Sequence, residues 1–568
     1  MSVATSLLAT TAEIARELRA KMRGSVLTES DPEYSGATAI WNGAVDRRPA
    51  VIARCADDRD VVAAVCAARR HGLPLSVLGG GHDWAGRALR DGGLLVDLTP
   101  MREVRVDDLS WTAFVQGAAR AGDVLAAARP YGLAPVTGVI NKVGLTGLAL
   151  GGGYGVLGGR YGLASDNLIS ADVVLADGRK VTANATEHPD LYWALRGGGG
   201  NFGVVTEAHF QLHPVSAVQA GLLVFPLNQA ARVLRGYQDL ISEAPHDLTV
   251  MAGFFGGPDG EPVLFLLPVW CGDERRAEPW LARLRGLGKP VAGELTSMAY
   301  PDVLSLFDAS IVDGRHNEMR TRWVAGLTDE IIDIVVAAMS KATSPLTGLF
   351  LHNFHGAATE VGPADTPFAL RRDHLLVEIC ASWESTVDDD GTAHRHWARD
   401  LSADLARHAL PGGYPNLLGT DEPERVTVAF GPNAARLLEI AERYDPDGVF
   451  NAVASLRPDP PAPAPSTTVE TIRFKLRGGV CDADFRTLNR QVQDEYLARR
   501  PGFLSRQTSR NADGEYLVVV HWASKEDAHA TMGSFFTAPE TQGFLGAVDK
   551  STVASGSYAL VPGPRRAG

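Results

Sequence analysis

Three clusters of glycine, all within residues 79–206, restrict what this chain can fold into more than any other feature of its sequence. The first is Gly79–Gly81, the second is the run 144–162 (GLTGLALGGGYGVLGGRYG), and the third is Gly197–Gly200. Glycine lets the backbone approach another group more closely than a residue with a side chain does. Three such clusters so close together are hard to explain as surface turns. They indicate a surface on which a large cofactor lies against the main chain.

A dinucleotide fingerprint is present in the second cluster, but its surroundings argue against a Rossmann fold. Residues 153–158 fit the pattern GxGxxG, and Asp177 follows about twenty residues later, as the fingerprint requires. That fingerprint must open a helix that packs on the preceding strand. Residues 159–165 contain two glycines and a serine, which are poor helix formers, and Asp177 lies at the Asp-Gly turn of a predicted hairpin, 171–184. We therefore expect the cluster to line a flat, extended surface.

A proline-rich stretch divides the chain. Residues 457–466 read RPDPPAPAPS, which is typical of an extended linker, and we predict the linker proper at 458–466. A second domain, 467–568, should follow it. Its predicted strands and helices are, in order, strand 469–476, helix 482–499, strand 516–522, helix 525–535 and strand 558–561. This order is typical of a small ferredoxin-like α+β domain.

Charge and cysteine content exclude several classes of function. The 54 basic and 67 acidic residues give a net charge of −13 without a basic stripe, so no nucleic-acid partner is expected. The five cysteines include no CxxC pair, which argues against a disulfide framework and against a metal site. We find no signal peptide and no apolar run long enough to span a membrane. The sequence therefore predicts a cytoplasmic protein with reduced thiols and no membrane partner.

Taken together, the motifs resemble those of the berberine-bridge-enzyme-like group of FAD-linked oxidases, which carry a vanillyl-alcohol-oxidase (PCMH) type of FAD domain. The similar stretches are WNGAVDRRPAVI (41–52), GGGHDWAG (79–86), FVQGAARAGDVL (114–125), GLTGLALGGGYG (144–155), YGLASDNLISADVVLADG (161–178), WALRGGGGNFGVVT (193–206) and FGPNAARLLEIAERYDPDGVFN (430–451). They cover nearly all of residues 1–457 in the right order and spacing.

The resemblance implies an α+β fold with a two-lobed FAD domain built from both ends of the body, residues 25–215 and 411–457. The middle segment, 216–410, is then a substrate domain whose antiparallel sheet, backed by helices, covers the flavin ring. His82 matches the histidine that bonds covalently to FAD in such oxidases. Some members add a second bond from a cysteine, but residues 139–142 (VINK) contain none, so we expect a single link.

The same resemblance implies which residues contact the cofactor. Most of them are glycines of the three clusters or their immediate neighbours. The positions expected to contact FAD are Leu78, Gly79, Gly80, Gly81, His82, Asp83, Gly86, Gly138, Gly144, Gly147, Gly151, Gly152, Gly155, Leu163, Asn167, Gly200, Asn201, Gly203, Val204, Val205, Asn416 and Phe450. Leu78 and Gly79 depart from the family, in which many members have arginine and serine there.

Two tyrosines are candidates for the chemistry. Tyr154 matches a tyrosine that lies near the flavin in sugar- and polyketide-oxidising members, and Tyr414, in GGYPNLLG, resembles their catalytic tyrosine. A phenol has an unperturbed pKa of about 10, so it needs hydrogen bonds or a charged partner to accept a substrate proton at neutral pH. The alternative is that each tyrosine is a packed aromatic with a satisfied hydroxyl.

The activity implied by the resemblance is that of an oxidase. It would transfer a hydride from an alcohol or phenolic secondary metabolite, with aromatic polyketides as one candidate class, to FAD, and O2 would be reduced to hydrogen peroxide. Two alternatives stay open at this stage. One is a flavin dehydrogenase that acts on a sugar or hydroxy acid with another electron acceptor, and the other is a flavin-binding protein without a catalytic base.

The final hundred residues carry a looser resemblance of their own. PGFLSRQTSR (501–510) and GEYLVVVHWASKEDA (514–528) resemble the dimeric α/β-barrel modules related to antibiotic-biosynthesis monooxygenases. This implies either a small cavity beside His521 and Trp522 or a module that only pairs two copies of the chain. A His-Trp pair on such a strand is more often core or interface, which favours a homodimer.

Overall fold

The computed structural model divides into two units, residues 1–457 and 458–568. The structure describes residues 2–386, 389–450, 468–523 and 525–559. The predicted linker, 458–466, and the end of the predicted FAD segment, 451–457, lie outside the described residues.

The first layer of the large unit is a four-stranded sheet with three helices. In spatial order its strands are Ser25–Leu27, Val51–Arg54, Leu94–Asp97 and Leu75–Leu78, of which the last three run parallel. Its helices are Ser2–Lys21, Tyr34–Thr38 and Asp58–His71. The last was predicted from its acidic start and basic end. The Asp57 side chain accepts hydrogen bonds from two backbone N–H groups at its start, and Gly72 ends it in the left-handed region at φ 62°.

The second layer is an antiparallel sheet that carries two of the glycine clusters on its connections. In spatial order its strands are Val104–Asp107, Thr112–Gln116, Val204–Pro214, Leu168–Val174 and Lys180–Ala183, and Leu133–Pro135 also pairs with the central strand. Its helices are Ala121–Ala128, Leu145–Leu150, Gly158–Tyr161 and Pro189–Leu195. The hairpin predicted at 171–184 is present and turns at Asp177–Gly178.

The prediction of a flat, extended surface for the second glycine cluster is wrong in two places. Residues 145–150 and 158–161 each form a short helix. The first forms because Leu145 and Ala149 are one helical turn apart and both are buried in the core of this lobe. The segment between the two helices, which contains Tyr154, is not helical.

The third layer is a nine-stranded antiparallel sheet. In spatial order its strands are Thr296–Ala299, Ala217–Ala220, Pro262–Trp270, Leu248–Gly256, Gly348–Phe354, His374–Trp383, His316–Val324 and Ala409–Leu410, and Leu223–Pro226 also pairs with the third of these. Its helices are Ala230–Ile241, Glu278–Arg285, Tyr300–Ser305, Asp329–Met339, Ala357–Glu360 and Thr392–Leu405. A buried core joins four of them, 230–241, 278–285, 329–339 and 392–405, to the sheet, as expected for a sheet backed by helices.

The chain then returns to the FAD lobe through the helices Pro423–Phe430 and Ala434–Tyr444. Phe430, Leu437 and Ile440 belong to the same buried cluster as Val115 and Val173 of the second layer. Both ends of the large unit therefore build one core, and the segment that forms the nine-stranded sheet is inserted between them. No helix among the described residues is long and apolar enough to cross a membrane.

In its described residues, the C-terminal unit is a four-stranded antiparallel sheet with three α-helices. In spatial order its strands are Phe503–Arg510, Tyr516–Trp522, Thr468–Phe474 and Ala554–Ala559, and its helices are Asp482–Gln491, Lys525–Phe535 and Pro539–Ala547. The sequence patterns missed the strand 503–510. It is an edge strand whose residues are all exposed or only half-buried, so it shows no alternation of apolar residues. The α-helical part of the predicted helix 482–499 ends at Gln491, and a π turn and a 3-10 turn follow it.

Asp60 fixes the N-terminal segment of the chain to this fold. Its carboxylate is 1% exposed and accepts hydrogen bonds from the backbone N–H groups of Arg23, Gly24 and Ala56 at 2.8, 2.8 and 2.9 Å.

Asp60→Ala leaves three N–H groups without an acceptor, and we expect the free energy of unfolding to fall by about 2–4 kcal/mol. Chemical denaturation measures this change. The control is Asp58→Ala in the same helix, which removes only a half-exposed ion pair with Lys180 and should cost less than about 1 kcal/mol. Equal losses in the two variants would contradict the assigned role of Asp60.

Candidate active site

One large cavity, of about 710 Å³, lies between the glycine loops and the nine-stranded sheet. Residues 79–83, 199–200 and 203–205 line one side. The strands 348–354 and 374–383 contribute the other side, and the segment 414–417 closes one end. The three glycine clusters, which are distant in sequence, thus meet around a single space.

Two of the glycine clusters touch through their main chains. A Cβ atom added at Gly80 would lie 2.4 Å from the backbone nitrogen of Gly144 and 2.7 Å from its Cα. Only glycine fits at such a contact. The loop that carries His82 and the start of the second cluster therefore form one continuous wall of the cavity.

His82 presents an unpartnered nitrogen at this wall. Its ring stacks on Trp41, with 4.4 Å between ring centroids and an interplanar angle of 12°. The Nε2 atom is shielded from solvent and has no hydrogen-bond partner among the described residues. Burial lowers the pKa of His82 to about 4, so the imidazole is neutral at physiological pH. A neutral, buried and unpaired imidazole nitrogen is suited to bond to an electrophilic carbon of a bound group.

Asp83 and Arg87 tie the His82 loop to the distant segment 414–417. The Asp83 carboxylate accepts from Arg87 Nη2 at 2.7 Å, from Arg87 Nε at 3.0 Å and from the Arg87 backbone N–H at 2.5 Å. Arg87 also donates to the backbone carbonyls of Pro415 at 3.3 Å and Asn416 at 3.2 Å. The Arg87 side chain in this ion pair is only 9% exposed. The ion pair fixes the distance between His82 and the end of the cavity.

Tyr414 is held by two donors at that end. Its hydroxyl oxygen accepts a hydrogen bond from the Gly153 N–H at 3.1 Å and another from the Asn416 side-chain amide at 2.9 Å. Burial raises the pKa of Tyr414 to about 12, and the hydrogen bond from Asn416 opposes that rise. Two donors aimed at one phenol oxygen stabilise negative charge there, as an oxyanion hole does.

Tyr154 lies beside Tyr414 but has a different partner. The two rings meet edge to face with 4.9 Å between centroids. The Tyr154 hydroxyl lies 2.6 Å from Nε2 of His374, and burial raises the pKa of Tyr154 well above its usual value. The two predicted tyrosines therefore meet at the cavity in unlike surroundings.

A carboxylate and an imidazole that the sequence analysis missed face the same cavity. Glu378 and His352, on neighbouring strands of the substrate sheet, are joined by a 2.9 Å hydrogen bond between Oε2 and Nε2, and both are mostly buried. A glutamate inside the apolar strand HLLVEICASW was the available signal. The pair adds a polar group to a wall that is otherwise largely apolar.

Most of the positions predicted to contact a cofactor line this cavity. They are Gly79, Gly80, Gly81, His82, Asp83, Gly138, Gly144, Gly147, Gly200, Gly203, Val204, Val205, Asn416 and Phe450, together with the two tyrosines. The others lie behind the wall, where their contacts are structural. They are Leu78, Gly86, Gly151, Gly152, Gly155, Leu163, Asn167 and Asn201.

The residues behind the wall shape it indirectly. Leu78 belongs to a small apolar core with Ile40 and Leu95. Asn167 donates to the carbonyls of Tyr161 and Leu163 at 2.9 and 2.8 Å, and so fixes the turn after the second cluster. Among the described residues, no group of three or more His, Cys, Asp or Glu side chains could hold a metal ion.

Comparison with known proteins agrees with this geometry. A family model described as FAD binding domain matches residues 49–184, and one described as berberine and berberine like matches 413–457. The chain is 32% identical to (R)-6-hydroxynicotine oxidase of Paenarthrobacter nicotinovorans over 451 residues, which cover 77% of this chain and 97% of that one. It is 34% identical to the FAD-linked oxidoreductase hasG of Aspergillus fumigatus over 462 residues, 76% of this chain and 97% of the relative.

Solved structures agree as well. The crystal structure of 6-hydroxy-D-nicotine oxidase from Arthrobacter nicotinovorans matches with a TM-score of 0.71 and 31% identity, over 77% of this chain and 98% of that one. Glucooligosaccharide oxidase from Acremonium strictum matches with a TM-score of 0.70 and 25% identity, over 78% of this chain and 99% of that one.

The two-lobed fold and the glycine-lined cavity define the class of the protein as a flavoenzyme, an oxidoreductase that depends on FAD. The chain belongs to the berberine-bridge-enzyme-like family of FAD-linked oxidoreductases. The predictions of FAD as cofactor and of an FAD-dependent oxidoreductase are confirmed. The matches to family models end at residue 457, where the large unit ends.

Three glycines test where the cofactor lies. Gly147 is a helical glycine at the cavity, and an added Cβ there meets nothing within 4 Å. Gly147→Ala should leave the melting temperature of the flavin-free protein unchanged but lower the FAD bound per chain, because the methyl group enters the space of the cofactor. Gly80→Ala should lower the melting temperature itself, because the Gly144 backbone must move. Thermal unfolding and flavin absorbance measure the two effects.

The control is Gly36→Ala, since Gly36 is a helical glycine away from the cavity with nothing within 4 Å. It should change neither quantity. Full FAD content in the Gly147→Ala variant would mean that the cofactor does not approach this point of the wall.

Proposed function

We propose that the enzyme is an oxidase that carries FAD covalently on His82 and removes a hydride from an alcohol or phenolic secondary metabolite, with O2 reduced to hydrogen peroxide. Bound FAD supplies the hydride acceptor and the site of oxygen reduction. The observation that carries the proposal is the state of His82: the ring is neutral, and its Nε2 is shielded from solvent and, among the described residues, has no partner at the wall of the cavity. A single covalent bond would fix the orientation of the cofactor over the whole reaction.

Attachment of FAD to a histidine is supported by a relative. Glucooligosaccharide oxidase from Acremonium strictum holds a 6-S-cysteinyl, 8α-N1-histidyl FAD. In this chain, residues 139–142 contain no cysteine. We therefore propose one bond, from His82, without the cysteinyl bond.

Tyr414 is the proposed acceptor of the substrate's hydroxyl proton. When the substrate C–H bond breaks, the hydride leaves for the cofactor and the O–H proton must go to a base, so that a carbonyl forms. The Gly153 N–H and the Asn416 amide are already aimed at the Tyr414 oxygen and stabilise its anion. Glu378, held by His352, lies on the opposite wall, and we propose that it binds a polar group of the substrate.

The lining of the substrate side supports an apolar substrate over an oligosaccharide. Leu222, Met251, Phe255, Phe307 and Phe350 contribute to it. Such a surface favours a flat or extended apolar molecule with a few polar groups. An aromatic polyketide meets that description and remains our first candidate class.

We also propose that the C-terminal unit is a ferredoxin-like module that pairs two copies of the chain. Its β-α-β-β-α-α-β order, which adds one helix to the ferredoxin-like pattern, and its strand order, with the first and third strands adjacent in the centre, support this. The sheet face opposite its helices carries Val519, Val469 and Tyr558, and Tyr558 is 60% exposed.

For the chain as a whole, five cysteines that form no disulfide support a cytoplasmic location.

Acid precipitation tests the covalent bond. His82→Ala should release all FAD into the supernatant, whereas wild-type protein should keep its yellow colour in the pellet. The matched control is His396→Ala, because His396 is exposed and does not line the cavity, and its flavin should stay in the pellet. Free FAD from wild-type protein would contradict the covalent bond and favour a noncovalent dehydrogenase.

A peroxide screen tests the oxidase reaction and its base. Aromatic alcohols and phenols are offered to the wild-type enzyme in air, and hydrogen peroxide is measured. With a substrate found in this way, Tyr414→Phe should slow anaerobic flavin reduction by about 100-fold or more. Because burial raises the pKa of Tyr414 to about 12, kcat/KM of the wild type should rise with pH between 7 and 9. Flavin that is reduced by substrate but reoxidised only slowly in air would identify a dehydrogenase.

Sedimentation of the full chain tests the pairing. Val519→Lys places a charge on the open sheet face and should convert dimers to monomers. Thr487→Lys, on an exposed position of the helix 482–491, is the control and should not. A wild-type chain that sediments as a monomer at micromolar concentration would contradict the proposal.

A further inference from the structure

The two tyrosines at the cavity differ in the direction of their hydrogen bonds. Tyr414 accepts from two N–H groups, so its own proton is not needed to satisfy either contact. The Tyr154 hydroxyl lies at hydrogen-bonding distance, 2.6 Å, from Nε2 of His374. The direction of that bond depends on which nitrogen of His374 carries the proton.

The backbone settles the tautomer of His374. Its Nδ1 lies 2.7 Å from the carbonyl oxygen of Arg372. A carbonyl oxygen only accepts, so Nδ1 carries the proton and donates it. In a neutral ring Nε2 is then an acceptor, and the Tyr154 hydroxyl must be the donor.

The surroundings keep His374 neutral. It is 2% exposed, stacks on Phe354 at 4.4 Å and meets Trp323 edge to face. The titratable and charged groups that act on the pair are Arg372 on His374, and Tyr414 and Arg371 on Tyr154; the positive charge of Arg372 disfavours an imidazolium. Burial lowers the pKa of His374 to about 3, so the ring is neutral at pH 7. His374 is therefore a poor final acceptor for a proton passed on by Tyr154.

We propose that His374 is a positioning residue that holds the Tyr154 hydroxyl as a hydrogen-bond donor directed behind the cavity wall, which leaves Tyr414 as the one phenol that accepts the substrate's proton. This inference rests on the oxidase proposed above. It revises the role expected for Tyr154: its ring packs edge to face on Tyr414 and shapes the cavity, and its hydroxyl proton is donated to His374. His374 itself lies outside the cavity lining.

Nuclear magnetic resonance of the holoenzyme tests the hydrogen bond without a substrate. The protein is labelled with 15N-histidine, and His374→Gln identifies the His374 signal by its loss. We expect the Nδ1–H tautomer, with no titration between pH 5 and pH 9. An Nε2–H tautomer or an imidazolium in this range would overturn the inference.

A thermal double-mutant cycle gives a second, independent reading. His374→Leu leaves the Tyr154 hydroxyl without an acceptor, and we expect the melting temperature to fall by a few degrees. Adding Tyr154→Phe removes the hydroxyl that lacks an acceptor and should restore part of the lost melting temperature. His374→Gln keeps an acceptor, so its melting temperature should fall less than that of His374→Leu. Strict additivity of the two substitutions would show that the pair is not coupled.

Kinetics tests the functional consequence. With a substrate from the peroxide screen, Tyr154→Phe should keep the rate constant of flavin reduction within about tenfold of wild type, whereas Tyr414→Phe should lose at least about 100-fold. A loss in Tyr154→Phe equal to that in Tyr414→Phe would overturn the inference. If the screen finds no substrate, the proposed function fails, and the resonance experiment still decides the hydrogen bond.

Discussion

The contact between the main chains of Gly80 and Gly144 is the constraint on which the rest of the site depends. It brings two glycine loops from different layers into one wall, and a Cβ on Gly80 would come within 2.4 Å of the partner backbone. Because no side chain lies at that contact, the wall can be thin and smooth. The cavity of about 710 Å³ lies in front of it.

Polar groups are then placed along this wall by contacts that cross the fold. Arg87 joins the His82 loop to carbonyls 328 and 329 residues away, in the segment that holds Tyr414. Trp41 fixes the plane of the His82 ring from one side. The attachment point for the cofactor and the proposed base are thus held at a fixed separation by the same arginine, which is how a rigid scaffold preorganises a reactive site.

Features with a local cause could be predicted from the sequence. The helix 58–71 follows from its acidic start, its basic end and Gly72, and the hairpin near 177 follows from its Asp-Gly turn. The glycine clusters indicated a cofactor surface, and the resemblance placed His82 and Tyr414 in it. The flat surface expected for 144–162 was wrong in part, because Leu145 and Ala149 drive a short helix by burial.

What could not be predicted depends on contacts between distant segments. His352 and Glu378 meet only because two strands pair in one register, and His374 acquires its role from Tyr154, 220 residues earlier.

The most direct test of the central claim is mass spectrometry of the tryptic peptide His71–Arg87. We expect this peptide to carry the mass of FAD less two hydrogen atoms, with fragment ions that place the addition on His82 and not on His71. An unmodified peptide, with intact FAD free in solution, would contradict the covalent attachment.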